Sequence, residues 1–145
     1  MVCVMKRKNT DQLLQELMDS NDLSRVLSDN SACFREGDLP HGLQALFDQQ
    51  DMSKSALAKA SGISEVYLHQ VFSGRRTPSR DRLLCLCIGL GASTEETQSL
   101  LQQAHHAPLY ARDKRDAVLL FGLSHGLTLP EINDALFTAG AETLL

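Results

Sequence analysis

Six basic side chains, Lys54, Lys59, Arg75, Arg76, Arg80 and Arg82, lie within residues 52–82 beside two acidic ones, Glu65 and Asp81, so this stretch carries +4. Its flanks are anionic. Residues 1–51 hold five basic and nine acidic side chains and residues 83–145 hold three and seven, which gives −4 to each and −4 to the whole chain. A cationic block inside an acidic chain suits attraction of phosphate, because the local field, not the net charge, governs approach. Other chemistries are poorly served. His105, His106 and His125 fall at expected helix ends with no carboxylate or thiol at a fixed spacing, and no glycine-rich phosphate loop occurs, so catalysis is not expected. Adjacent histidines at a helix C-terminus are expected as solvated caps. Cys3, Cys33, Cys85 and Cys87 form neither a disulfide framework nor a Cys-x-x-Cys or Cys/His metal pattern. Reduced, buried thiols follow, with no cofactor.

The elements that must position the cations run from Ser53 to Ser79. Gly62 follows an apolar run of Leu57, Ala58 and Ala60, where a helix stops and the chain turns sharply. Glycine takes the left-handed conformation needed there without a Cβ penalty. Ser64 then offers a hydroxyl to cap a second helix. In that helix Leu68 and Val71 share the face that packs back with Ile63 against Leu57, leaving Glu65, Val66, Tyr67, His69 and Gln70 outside. A small residue at Ala58 lets the two helices cross closely.

At these residues the chain resembles the lambda-repressor/Cro family of helix-turn-helix DNA-binding domains, the xenobiotic-response-element type of regulator. Leu57, Ala58, Gly62, Ile63, Leu68 and Val71 fall at that family's core spacings, and Gly74-Arg75-Arg76-Thr77-Pro78-Ser79 matches its exit loop. Ser61 departs from it, standing where an apolar residue is usual, and is expected to loosen the packing slightly. The resemblance covers residues 39 to 92 and implies that the helix Ser64 to Ser73 enters the major groove. Lys54, in place of the family's frequent glutamine, would meet a phosphate or a guanine edge. Gln70 would pair with adenine, His69 would donate to a guanine acceptor, and Val66 and Tyr67 would touch thymine methyls. Glu65 would accept from cytosine or reject other sites. Ser55, Ser64, Thr77 and Ser79 would hold the phosphate backbone together with Arg75 and Arg76.

The rest of the chain reads as helices. Residues 1–9 are expected as a flexible basic tail with a Lys6-Arg7-Lys8 cluster. Residues 10–29 form an acidic amphipathic hairpin, its helices begun by Thr10 and by Ser20 or Asn21, with apolar Leu13, Leu14, Leu17, Met18, Leu23, Val26 and Leu27. A loop spans Asn30 to Asp38. Pro40 opens the first helix of the helix-turn-helix domain, residues 39–106, with Leu43, Leu46 and Phe47 on its apolar face. Arg80 to Leu90 follows, stopped by Gly91, and Ser93 with Glu96 makes a capping box for the next helix.

Sliding the sequence by thirty-five residues then aligns Arg80-Asp81 with Arg115-Asp116, Gly91 with Gly126, Glu96 with Glu131, and Leu109 with Leu144. Residues 110–145 therefore read as a second copy of 80–110. A helical hairpin over 113–138 is expected to rest on the first through Leu109 and Tyr110.

The fold class expected is all-α: a lambda-repressor-like helix-turn-helix five-helix domain with an N-terminal helical hairpin and an appended C-terminal hairpin repeat. The function implied is a sequence-specific double-stranded DNA-binding transcriptional regulator, a repressor. A homodimer is expected to pair through Leu123, Leu127, Leu129, Ile132, Leu136 and Phe137. The alternative is a protein-interaction module or antitoxin-like adaptor that binds a protein partner through either terminal hairpin. The order of apolar and basic residues at the start is the reverse of a signal peptide, and Leu83 to Leu90 is too short to span a bilayer. A cytoplasmic protein without membrane contact is expected.

Overall fold

The computed structural model describes residues 9–30 and 38–145. Among them are nine α-helices and no strand: α1 (Thr10–Asp19), α2 (Leu23–Asp29), α3 (Leu39–Asp48), α4 (Lys54–Ser61), α5 (Glu65–Phe72), α6 (Arg80–Leu90), α7 (Thr94–Gln103), α8 (Lys114–Ser124) and α9 (Leu129–Thr138). The chain divides into two compact units, Met1–Glu36 and Gly37–Leu145. The expected Lys6-Arg7-Lys8 cluster, Cys3, Cys33 and the interior of the Asn30 to Asp38 loop lie outside the described residues.

In the first unit the helices begin one residue away from the expected caps. Asn9, not Thr10, caps α1 in a reciprocal box with Gln12, and Asp22, not Ser20 or Asn21, caps α2 by accepting from the Arg25 amide. The buried amide of Asn30 ties the pair together, donating to Glu16 Oε1 at 3.0 Å and to the Val26 carbonyl at 2.9 Å. Leu14, Met18, Leu23 and Leu27 remain exposed.

The second unit is built around α6. Leu83 through Ile88 and Leu90 are all buried, so this helix is apolar on every side and takes the centre. Cys85 and Cys87 share that interior, where burial pushes their thiols up to about 11 and about 12. Helix α4 lies against α6 at a point where neither helix has bulk. Ser61, fully buried, donates its hydroxyl to the Leu57 carbonyl at 2.7 Å, and Gly89 faces it. The expected loosening at Ser61 is thus corrected: the hydroxyl is satisfied within its own helix, and its small size admits α6.

A methyl at Gly89 would land on Ser61 Oγ, 3.2 Å from Leu57 Cδ1 and 3.3 Å from the Ser61 amide nitrogen. Backbone cannot yield as a side-chain tip does. Gly89→Ala is therefore expected to destabilise by about 1–3 kcal/mol from overpacking, against a helix-propensity gain of about 1 kcal/mol. A urea midpoint equal to wild type would mean that the two helices can separate freely.

The thirty-five-residue offset reappears as geometry. Gly91 and Gly126 close α6 and α8 with φ of 66° and 64°, and Ser93–Glu96 and Thr128–Glu131 box the starts of α7 and α9. Gln98 Oε1 accepts from the Leu109 amide at 2.7 Å, and Asn133 Oδ1 accepts from the Leu144 amide at 2.8 Å. His105, with φ of 60°, holds a left-handed position where the second copy has Gly140 at 75°. Arg80 reaches Asp116 with both terminal nitrogens, and Arg115 reaches Asp81 in the same way.

The C-terminal hairpin therefore shares one core with the rest of the unit, and two expectations change. Leu123, Leu129, Ile132 and Leu136 are buried in that core and Leu127 packs against it, so they offer no dimer stripe; of the six, Phe137 alone stays exposed. Leu109 is buried as expected, whereas the Tyr110 ring is exposed and only its amide takes part, donating to Asp116.

Candidate nucleic-acid interface

Helix α5 owes its position to caps at both ends of the turn before it. Ser53 Oγ accepts from the Ala56 amide to start α4, Gly62 ends that helix at φ 65°, and the Ile63 amide returns to the Ala58 carbonyl. Ser64 Oγ then accepts from the Tyr67 amide at 3.2 Å. Leu68 and Val71 are buried beneath, which aims the opposite edge of the helix outward.

That outward edge is open. Val66 is 68% exposed, Glu65 and His69 are exposed, and Gln70 is half-buried. Lys54, Val66, His69, Gln70 and Arg75 line one groove of about 550 Å³ with Gln44, Phe72 and Ser73. The Lys54 ammonium lies 4.7 Å from the Phe72 ring centroid and 5.9 Å from that of Phe47. The two rings meet edge to face, so the lysine stem is held along α5 with its charge at the groove.

Tyr67 is the correction. Expected outside with its neighbours, it is only 9% exposed, and the guanidinium carbons of Arg82 and Arg76 lie 4.5 and 5.2 Å from its ring centroid. The helical turn explains this: Tyr67 lies one residue from Leu68 and four from Val71, on the border of the packed face. Its ring serves as a shelf that gathers two cations, and a phosphate beside them would relieve their mutual repulsion. Arg82 belongs to the basic block, yet its order in the chain does not place it at the site, because only the packing of α5 and α6 on α4 brings it to Tyr67. Gln44, from α3, escapes sequence reasoning for the same reason.

The exit loop is fixed by its backbone. The Arg75 and Arg76 amides both donate to the Gln70 carbonyl, at 2.9 and 3.2 Å, and Gly74 turns at φ 81°. Pro78 is buried, and the His106 ring nitrogen Nε2 donates to its carbonyl at 2.9 Å. His106 is therefore a brace for this loop and not the solvated cap expected of it. Arg75, Arg76 and Thr77 stand exposed on the braced segment. Ser55, in the first turn of α4, is exposed, and Ser64 and Ser79 cap helices with their oxygens while each keeps a hydroxyl proton to donate.

A family model described as a helix-turn-helix domain matches residues 41–100, from the first turn of α3 into α7 and short of α8. No curated protein and no solved structure matches the chain. Among the described residues no helix is long and apolar enough to cross a membrane.

Proposed function

We propose that residues 41–100, a helix-turn-helix domain of the lambda-repressor/Cro kind, bind double-stranded DNA sequence-specifically and regulate transcription, with the open edge of α5 in the major groove. The observation that carries this is the meeting in one groove of base-reading types, Gln70, His69 and Val66, with the cations Lys54 and Arg75. Amide and imidazole groups suit adenine and guanine edges, and the exposed Val66 suits a thymine methyl. Phosphates would be held by Arg75, Arg76, Thr77, Ser55, Ser64 and Ser79, with Arg82 added to the expected set. Glu65 beside them admits cytosine and disfavours other contacts. A domain seated on a promoter excludes other proteins from it, which makes repression the simplest outcome. Its location is then the compartment that holds the DNA, and no catalytic step is involved.

Enrichment of bound duplexes from a random pool tests the reading. Gln70→Ala is expected to relax discrimination at one base pair by about 1–3 kcal/mol, with the salt dependence of binding unchanged. A weakening spread evenly over all sequences would mean that Gln70 does not read a base.

One observation favours a second reading, a protein-binding module: the acidic helices α1 and α2 keep Leu14, Met18, Leu23 and Leu27 exposed. Failure of the full chain to retain any duplex at low salt would select it over DNA reading.

A further inference from the structure

The two C-terminal hairpins meet in an isologous way. Arg80 of the first reaches Asp116 of the second, and Arg115 of the second reaches Asp81 of the first, so each presents the same Arg-Asp dipeptide to the other. Each arginine also closes its own tail alike. Arg80 donates to the carbonyls of Ala107 and Pro108, and Arg115 to those of Glu142 and Thr143. Reciprocal contacts of this kind define a two-fold axis, the relation by which identical chains associate in closed dimers. The α6 face bearing Arg80 and Asp81 is thus self-complementary. A second copy of α6–α7 would set Arg80 against Asp81 twice across the axis, but α8–α9 of the same chain already sits there.

Only one of the related hairpins follows a reading head. Helices α4 and α5 precede α6, whereas α8 follows α7 directly, and the helix-turn-helix match stops at residue 100. The second hairpin also backs that single head. Leu145 Cδ1 and Leu129 Cδ2 lie 2.5 and 3.4 Å from where a Cβ on Gly62 would project, so they press on the turn between α4 and α5.

We infer that the C-terminal hairpin takes the place of a symmetry mate within the chain, so that the protein reads DNA as a monomer at one asymmetric site and not as a dimer at a palindrome. The inference rests on the DNA-reading role proposed above and names the class of site. The leucine stripe expected to pair a homodimer is spent on the core, and the self-complementary face is filled.

Selection of bound duplexes by the full chain, followed by native mass spectrometry on the enriched duplex, tests it. The expected result is one short motif without dyad symmetry, one chain per duplex, and a single-chain species when unbound. A dyad-symmetric motif carrying two chains overturns the inference and leaves DNA reading intact. Absence of any enriched motif overturns DNA reading, and the inference with it.

Charge exchange probes the axis itself. Arg115→Asp with Asp116→Arg sets like charges against Arg80 and Asp81, which stay complementary to a second copy, so a dimer is expected in sedimentation. Adding Arg80→Asp and Asp81→Arg re-pairs the charges within one chain and is expected to return single-chain behaviour. A double variant that is folded and monomeric, or a quadruple variant that remains dimeric, overturns the inference. Should the double variant fail to fold, the stoichiometry on the enriched duplex decides.

Discussion

Replacing Asp116 by alanine is expected to destabilise the Gly37–Leu145 unit by about 1–3 kcal/mol, the range for leaving the partners of a buried hydrogen-bonding group unsatisfied. Its carboxylate accepts from Arg80 Nη1 at 3.2 Å, from Arg80 Nη2 at 3.0 Å and from the Tyr110 amide at 3.0 Å, and its side chain is 9% exposed. Without it the partly exposed Arg80 guanidinium keeps its two carbonyl acceptors but forfeits its counter-charge, and the Tyr110 amide loses its acceptor. The symmetry-related Asp81→Ala provides the contrast. Arg115 is about as exposed as Arg80, but the Asp81 carboxylate is 38% exposed, so solvent screens this pair and about 1 kcal/mol or less is expected. Urea denaturation of both variants measures the difference. Equal destabilisation would show that burial does not separate the two halves of the network.

Arg75→Ala combined with Arg76→Ala is the second large effect, and it falls on binding. Both side chains stand exposed on a loop whose backbone is held by the Gln70 carbonyl and by His106 on Pro78, so their removal should leave the fold in place. Charge-assisted hydrogen bonds contribute about 1.5–3 kcal/mol each. Every phosphate that a cation no longer neutralises should lower the slope of log affinity against log salt by about 0.9. The double variant is therefore expected to bind duplex DNA at least tenfold more weakly at moderate salt, with a slope smaller by about 1.8. Lys114→Ala removes a cation from α8 and should leave the slope as it was. If the arginine variant keeps the wild-type slope, these side chains are solvated and the interface lies elsewhere.

Local chemistry makes much of the architecture legible in the residues alone. Gly62, Gly74 and Gly91 occupy left-handed positions, and Ser53, Ser64, Ser79, Ser93 and Thr128 accept the amides of their first turns. Caps and turns depend on residues within four positions of each other, so the chain states them in its order. The offset of thirty-five residues is legible for the same reason. Side-chain burial is less so, because it depends on which helix arrives from a distance. Tyr67 reads as an outside residue since its own helix leaves it at a border, and its burial comes from the core it joins and from Arg82 of α6 and Arg76 of the loop beside its ring.

The sequence by itself determined the turns and most of the caps, the helix-turn-helix unit, the cationic stretch and the thirty-five-residue offset. Tertiary structure alone decided how these were used. It turned the leucines of the second hairpin into core, made Ser61 a point of close approach, and set Arg80 and Arg115 across a two-fold relation on Asp116 and Asp81. The reason is physical. Turn and cap preferences are settled by a few neighbouring backbone groups, whereas burial and ion pairing are settled by the competition among all apolar faces for one interior.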